Sequence, residues 1–394
     1  MAERLKRENN IISRIPFIVS ILFIIISPLE NIYRIERYVY IIGVVILSVC
    51  LLLNKSFSFN NSKLWLIFIF YAFITCFWSE SFSAYSTLVT MCAEVFFLIF
   101  QLQFSYSSED FRKIKIAFIV QSWFLLFLCA RYGRYIDSRL WLQSDYSGAD
   151  PNYLSGWFII PLCFAVEFLV SSKTKIWVKA ILLIQTALSF YYIMQTSSRS
   201  GLIATVLVVA IATVYSFRHT LAKYPIRAVF ILIVFGIAIA IGIRNMPSYL
   251  IKRLSTGDFT LTGRTVMWQK LALTLLQNPL RLLFGFGTSA VALYTGNGMV
   301  SHNTFLDILF NHGIIGLSAM LMFMFGGIRQ KWKSRPYVVI ALVGMSVLVC
   351  TLSAFNTRFL MLMFFLIGAD VVENKSVNED YMTTEDVLRL QVAN

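Results

Sequence analysis

Long apolar runs recur along the whole chain, and they constrain the fold more than any other feature of the sequence. A helix that crosses a bilayer needs about 20 largely apolar residues, and twelve stretches approach this requirement. With 58% apolar and only 14% charged residues, the chain has too little polar surface to enclose these stretches in a soluble core. A soluble enzyme, a disordered chain and a coiled coil are therefore excluded. The sequence predicts an all-α integral membrane protein with about twelve transmembrane helices, at approximately residues 12–29, 38–53, 64–79, 84–103, 114–130, 153–170, 176–194, 201–217, 226–243, 304–326, 337–354 and 358–372.

The distribution of lysine and arginine predicts the orientation of these spans. Loops on the side of the N-terminus hold 21 Lys and Arg residues, whereas the short loops on the opposite side hold seven. Because basic residues favour cytoplasmic loops and long loops do not count in this rule, we expect both termini in the cytoplasm. No small-residue cleavage pattern follows the first apolar run, so we expect it to be an uncleaved span. The predicted organisation is nine spans in residues 1–243, an external loop at 244–303, three spans in 304–372 and a cytoplasmic tail at 373–394.

The strongly basic balance of the chain has two explanations in a membrane protein. The sequence holds 34 Lys and Arg against 20 Asp and Glu, a formal net charge of +14. In a soluble protein this excess would indicate a nucleic-acid partner, but here most of it lies in predicted cytoplasmic loops, where it sets topology. We therefore expect no nucleic acid, and we expect the basic residues on the external side to meet an anionic substrate borne by the membrane.

The long external loop at 244–303 is a candidate functional region, because loops of this length are usually functional. Within it, Thr265 to Gln277 carries apolar residues at helical spacing, and Pro279 ends the run. We expect a helix that lies on the membrane surface. Its apolar positions are Val266, Met267, Leu271, Leu275 and Leu276.

His302 is the leading candidate for a general base. It lies at the end of the long external loop, where the next span enters the membrane, and histidine accepts a proton readily near neutral pH. The alternative is a histidine that only anchors the start of the span. His312 lies ten residues further along, about 15 Å away on a straight helix and on a different face.

Two external arginines are candidate ligands for phosphate. Arg199 lies in a tight polar turn between two spans, and Arg264 opens the predicted surface helix. An arginine binds phosphate oxygens with two parallel hydrogen bonds, and a helix N-terminus favours anions. The alternatives are an arginine that extends to the interface at position 199 and a solvated loop arginine at position 264.

The acidic residues give weaker signals. Glu94 and Glu167 lie at the depth of the spans, where carboxylates are functional candidates by default, although Glu167 is close enough to a helix end to reach water. Asp150 precedes a span and is either a site residue or a helix cap. The sequence has no P-loop, no dinucleotide fingerprint, no H-E-x-x-H and no Cys/His cluster, so we expect neither a metal nor a cofactor.

The external motifs together resemble those of the bacterial O-antigen ligase and O-antigen (Wzy-type) polymerase family. Ser301 to Asp307 reads SHNTFLD, and Gly313 to Leu317 reads GIIGL, similar to the family's H-N-x-x-L and G-I-x-G-L elements. Thr196 to Gly201, reading TSSRSG, resembles its S-R-x-G element. Gly263 and Arg264 with Trp268 resemble its G-R-x-x-x-W start of an external helix. The family often carries an acidic residue two positions before the glycine, where this chain has Asn311, so Asp307 is the nearer carboxylate.

The resemblance implies a GT-C-like membrane glycosyltransferase of the bacterial inner membrane, metal-independent and inverting, with its active site on the external face. Its donor would be an undecaprenyl-diphosphate-linked glycan, and its acceptor a glycan or a lipid. His302 would act as the base, and Arg199 and Arg264 would stabilise the departing diphosphate. Asp307, Asn303 and Asp150 are further candidates. Membrane lipids and a chain-length regulator are the other partners that the resemblance suggests.

Three functions remain open at this point. The Asp-Pro-Asn-Tyr segment at Asp150 and the form of the histidine motif favour a polymerase that extends surface polysaccharide (O-antigen, capsule or exopolysaccharide) from lipid-linked repeat units. A ligase would instead transfer the finished glycan to lipid A-core or another acceptor. A secondary transporter or flippase is the alternative from another class, but transporters often show internal repeats, and this sequence shows none.

Overall fold

The computed structural model describes residues 11–32, 36–54, 62–143, 148–219, 244, 246–255, 264–295, 300–355 and 357–372. Within this part of the chain the fold is almost entirely helical. The helices are α1 Ile11–Ile26, α2 Glu36–Asn54, α3 Lys63–Cys76, α4 Ala84–Gln101, α5 Ser108–Tyr132, α6 Pro151–Gly156, α7 Ile159–Val170, α8 Ile176–Gln195, α9 Arg199–His219, α10 Ser248–Ser255, α11 Arg264–Leu276, α12 Pro279–Phe284, α13 Val291–Tyr294, α14 Thr304–Lys331, α15 Pro336–Val349 and α16 Arg358–Gly368. A 3-10 helix, Ser27–Asn31, continues α1.

The prediction of an all-helical membrane protein is confirmed, whereas the number of twelve spans is not. Seven helical segments in the described residues are long and apolar enough to cross a membrane, and four more are apolar but shorter. Eleven of the predicted spans overlap these helices, and the predicted span at 226–243 lies outside the described residues. The predicted tail at 373–394 also lies outside them.

Short strands join some of the helix ends. β2 (Gly133–Ile136) and β3 (Arg139–Gln143) form an antiparallel hairpin directly after α5, and β4 (Gly148–Ala149) pairs with β3. At the opposite end of the bundle, β1 (Ser105–Ser107) pairs in parallel with β5 (Asp370–Val372).

The connections that contact one another are those predicted to share a side of the membrane. On the predicted cytoplasmic side, β1 pairs with β5, Gln103 donates to Ser62 (2.8 Å), and Arg335 donates to the Ala369 carbonyl (2.9 Å). On the other side, the hairpin, the α8–α9 turn, the α15–α16 connection and the helices α11 to α13 meet. The second group carries the candidate site.

The centre of the bundle consists of buried, comparatively short helices. α15 has 14 residues and α16 has 11, and both are largely buried. At 1.5 Å per residue they span about 21 Å and about 16 Å, whereas the hydrocarbon core is about 30 Å thick. Their near ends lie together, because Arg335 bonds to Ala369. The far ends of the two helices, at Val349 and Arg358, therefore also lie together on the opposite side of the bundle.

Helix α14 is broken at Gly313, which corrects the expectation of one straight span at 304–326. Gly313 has φ +63° and ψ −170° inside the helix. Thr304 and Phe305 line the same small cavity as Met320 and Met324. On a straight helix, residues 15 to 20 positions apart would be separated by about 22 to 30 Å. The first limb, Thr304 to His312, therefore folds back toward the second limb.

The helices of the external loop pack on the first limb of α14. Leu271 and Leu275 of α11 are buried with Phe286, Val291 and Phe310 in a small separate core. The rings of Phe286 and Phe310 stack at 4.6 Å. The predicted helix at 265–277 is thus present, but two of its five predicted apolar positions, Val266 (68% exposed) and Leu276 (67%), lie outside this core.

Candidate functional site

Ser301 fixes the backbone on both sides of His302. Its hydroxyl donates to the Asn303 carbonyl (2.9 Å) and accepts from the Asn303 amide (3.1 Å). Its own amide donates to Oδ1 of Asp307 (3.1 Å), and its carbonyl accepts from Nε1 of Trp268 (2.7 Å). These four bonds hold His302 at φ +57°, a left-handed conformation that a non-glycine residue adopts at some cost and that is enriched at functional sites.

The polar residues of the SHNTFLD motif are used in building this turn, except for one. Asn303 is the N-cap of α14 and accepts from the Leu306 amide (3.1 Å), a contact that satisfies a helix-terminal donor. Asp307 accepts from Ser301. His302 is half-buried, and its Nδ1 is a buried atom with no hydrogen-bond partner within the described residues. His302 is therefore the polar residue of the motif whose side chain does not take part in building the turn.

The α15–α16 connection brings three parts of the chain together around this turn. The Leu352 carbonyl accepts from both the amide (3.0 Å) and the hydroxyl (2.6 Å) of Thr304. The Ser353 carbonyl accepts from the Tyr153 hydroxyl (2.6 Å), which ties in the start of α6. The Thr351 carbonyl accepts from Nη1 of Arg264 (2.9 Å), which ties in the start of α11.

Arg264 and Trp268 attach helix α11 to the site at two points one turn apart. Arg264 is the first residue of α11 and reaches the Thr351 carbonyl, whereas Trp268 reaches the Ser301 carbonyl. Residues four apart lie on the same face of a helix, so the G-R-x-x-x-W spacing directs one side chain at the α15–α16 connection and the other at the histidine turn.

Arg199 is the first residue of α9 and is half-buried. The preceding turn contains Ser197 at φ +50°, and Oγ of Ser198 accepts from the Gly201 amide (3.1 Å), which is the pattern of an N-cap. A Cβ at Gly201 would lie 2.1 Å from Oγ of Ser155. The glycine of the S-R-x-G element therefore allows the start of α9 to lie directly against α6.

Asp150 and Arg139 connect this arginine turn to the rest of the site. Oδ1 of Asp150 accepts from the amide (2.7 Å) and from Nδ2 (2.6 Å) of Asn152, so Asp150 caps α6. Arg139 of β3 donates through Nη2 to Oδ1 of Asn152 (3.2 Å) and through Nε to the Thr196 carbonyl (3.0 Å). Arg139 thus joins the capped start of α6 to the turn before Arg199.

The charges of Arg264 and Asp150 both reach His302. Burial lowers the pKa of His302 below its ordinary value, the positive charge of Arg264 lowers it further, and the carboxylate of Asp150 opposes them. The imidazole is therefore predominantly neutral at pH 7 and able to accept a proton. His302, Arg264 and Asp150 are therefore close enough for their charges to interact. The turn that carries Arg199 is connected to this group by the Ser155–Ser198 contact and by Arg139.

The other titratable candidates have structural partners away from this site. Glu167 pairs with Lys115 at 2.6 Å, and Glu94 is buried beside Tyr40 and its neighbour Arg358. His312 is buried, and its Nδ1 lies 3.1 Å from Oγ1 of Thr75.

Asn311, at the position where the family often has a carboxylate, also has a structural contact. Its Oδ1 accepts from the Val291 amide (3.2 Å) at the start of α13. The side chain at this position therefore attaches the external loop to α14.

Sequence reasoning missed the α15–α16 connection and Arg139. The connection acts through its backbone carbonyls, which leave no mark in side-chain motifs. Arg139 lies in a polar segment with two other arginines, Arg131 and Arg134, and only the pairing of β2 with β3 distinguishes it from them.

The comparisons with known proteins agree with the resemblance found in the motifs. Residues 184–321 match the family model Wzy_C, described as O-antigen ligase. The matched segment contains Arg199, Arg264 and His302. No curated protein matches the chain. Residues 184–321 of this multi-helix, apolar chain are therefore similar to the O-antigen ligase family, whose model covers about a third of the sequence.

Proposed function

We propose that the protein polymerises surface polysaccharide by transferring a glycan from an undecaprenyl-diphosphate-linked donor to the next lipid-linked repeat unit. The observation that carries this proposal is the neutral, half-buried imidazole of His302, which a fully bonded turn holds within electrostatic range of Arg264. Such a group suits removal of a proton from an acceptor hydroxyl.

The leaving group of this reaction is already a diphosphate, so the main demand on the enzyme is to stabilise departing negative charge. Arg199 and Arg264 are each the first residue of a helix, where free peptide N–H groups add to the positive potential. Fixed positive charge in a partly dehydrated site stabilises such charge more strongly than in water. We propose that the two arginines bind the diphosphate, and that Asp150 and Asp307 hold the surrounding backbone.

In the proposed step, the acceptor oxygen attacks the anomeric carbon of the donor sugar from the face opposite the diphosphate, and the configuration inverts. The bond from that carbon to the diphosphate oxygen breaks, and the proton passes from the acceptor hydroxyl to His302. The site lies on the external side of the inner membrane in the proposed topology, with both termini in the cytoplasm. No metal or cofactor enters this step.

A ligase reaction with the same donor is the second candidate, and the description of the matching family as O-antigen ligase favours it. The chemistry of the site is the same in both cases, and only the acceptor differs. A transporter is less well supported, because the candidate residues gather at one end of the bundle, and the carboxylates Glu94 and Glu167 lie in contacts away from it.

The test is transfer by the purified protein in proteoliposomes. Lipid-linked repeat unit supplied alone gives chain growth if the protein is a polymerase, whereas growth that requires added lipid A-core identifies a ligase. His302→Ala is expected to abolish transfer and to keep donor binding, and Arg199→Lys is expected to impair transfer although it keeps the charge. Full activity of His302→Ala would remove the proposed base, and chelator-sensitive transfer would contradict the metal-free step.

A further inference from the structure

Helix α12 and the end of α11 expose large apolar side chains outside the small core that holds the external loop. Leu280 is 74% exposed and Leu276 67%, and Leu283 and Phe284 are also exposed. No side chain of α12 is buried. A large apolar patch in contact with water would be unfavourable. Whether lipid or protein covers this patch depends on where α12 lies relative to the bilayer.

Helix α12 contacts residues inside two apolar helices rather than at their ends. The Leu283 carbonyl lies directly against Gly313 of α14, and the Phe284 carbonyl accepts from the Tyr71 hydroxyl of α3 (2.8 Å). From Lys331 to Gly313 is about 27 Å along the second limb of α14, and the 14 residues of α3 reach about 21 Å. Both lengths are shorter than the hydrocarbon thickness of about 30 Å.

The backbone after α12 is bonded to protein in the way that irregular chain requires inside a bilayer. The Gly285 carbonyl accepts from Nε1 of Trp78 (3.1 Å), and the Thr288 carbonyl accepts from Oγ of Ser79 (2.7 Å). The amides of Phe286 and Gly287 donate to the Phe310 and Asn311 carbonyls (2.8 and 2.9 Å), which the break in α14 releases. Non-helical backbone at membrane depth is tolerated only where protein or a water-filled cavity satisfies its polar groups.

We propose that residues 276–288 form a re-entrant segment in the leaflet on the side of the candidate site, with the acyl chains of the bilayer covering Leu276, Leu280, Leu283 and Phe284. The helices that contact α12 also expose large apolar side chains next to their contact residues, namely Phe70 of α3 (65% exposed) beside Tyr71 and Ile314 of α14 (44%) beside Gly313. The segment enters the hydrocarbon, whereas α11 lies at its boundary. This inference does not depend on the reaction that the site performs.

The test is the accessibility of spin labels in proteoliposomes. Single cysteines replace Leu280 and, separately, Leu276 in a background without the six native cysteines. Phe70→Cys is the lipid-facing reference, and Glu109→Cys, whose side chain is 74% exposed, is the water-facing reference. Collision with molecular oxygen reports contact with lipid, and collision with a polar nickel chelate reports contact with water.

We expect the label at Leu280 to behave like that at Phe70, with high oxygen and low nickel accessibility, and the label at Leu276 to lie between Leu280 and Glu109. High nickel accessibility at Leu280, equal to that at Glu109, would overturn the proposal. Low accessibility to both reagents would also overturn it, because a protein surface would then cover the segment. Elution of each variant as the wild-type species checks folding, and Leu283→Cys replaces either position if that variant misfolds.

Discussion

Replacing Arg139 with lysine tests whether the hairpin after α5 positions the proposed diphosphate site. Arg139 donates to the Thr196 carbonyl and to the side chain of Asn152 at the same time. Lysine keeps the charge, but its compact ammonium group does not reproduce the planar fork of two donors. Arg139→Lys therefore separates the turn before Arg199 from the capped start of α6.

The size of the effect follows from the number of bonds lost. A hydrogen bond to a charged group contributes about 1.5–3 kcal/mol, and Arg139 is half-buried, so the lower end of that range applies. Loss of one bond corresponds to about a tenfold decrease in rate, since about 1.4 kcal/mol is a factor of ten. Arg139→Ala loses both bonds and is expected to decrease the rate about 100-fold. Because the proposed diphosphate gains charge in the transition state, we expect the decrease in kcat rather than in KM.

The assay is the initial rate of glycan transfer in proteoliposomes at varied donor concentration. Arg131→Lys, an exposed arginine at the end of α5 beside Tyr132, is the matched control and should keep the wild-type rate. Thermal melting of each variant distinguishes loss of positioning from loss of fold. Wild-type kcat in Arg139→Lys, or a decrease that follows the melting temperature alone, would refute the positioning role.

Three further predictions follow from the histidine turn and from α14. Gly313→Ala places a Cβ 2.2 Å from the Leu283 carbonyl at a residue with positive φ, and it should lower the free energy of unfolding, measured by thermal melting, by about 1–3 kcal/mol or more. Gly326→Ala is the control, because its Cβ would have no atom within 4 Å and should leave stability unchanged. Equal melting temperatures of the two variants would contradict the packing at the helix break. Asn303→Ala removes the cap of α14 and should lower the free energy of unfolding by about 1 kcal/mol, whereas Asn303→Ser should keep most of that stability. Equal stability of the two variants would argue against the cap. Because burial and Arg264 lower the pKa of His302, a base at this position should give kcat/KM an acid limb below the ordinary histidine value of about 6.5. Asp150→Asn removes the opposing charge and should move that limb to lower pH, and movement to higher pH would contradict the assigned signs.

The apolar helices were predictable because the bilayer imposes a length and a composition on every span. Four of the apolar helices are shorter than the others, and three of them were already short as apolar runs, at 38–53, 64–79 and 358–372. The short length of α15 was not predictable, because the apolar run at 337–354 continues beyond the end of the helix. The break at Gly313 was also hidden, because the apolar residues on both sides of it continue without interruption.

The sequence allowed the candidate site residues to be identified, but not the groups that they contact. His302, Arg199 and Arg264 stand out because charged or titratable residues are rare near span ends. Their surroundings are set by backbone groups, such as the Thr351 carbonyl under Arg264, and by chain segments far apart in sequence. The five apolar positions of α11 followed helical spacing, but spacing alone did not distinguish Leu271, which is buried in the core, from Leu276, which is exposed.

The way the external loop attaches to α14 has a consequence for sequence divergence. Phe286 and Gly287 bond through their amides to carbonyls of the broken helix, and main-chain groups of this kind are available whatever the side chains are. The side chains between Trp268 and Gly285 that lie outside the small core are therefore free to change in size, as long as one turn of helix, the glycines and the break persist and the exposed positions of α12 stay apolar. We expect homologous chains to vary most at these positions, because such changes leave the base at His302 in place.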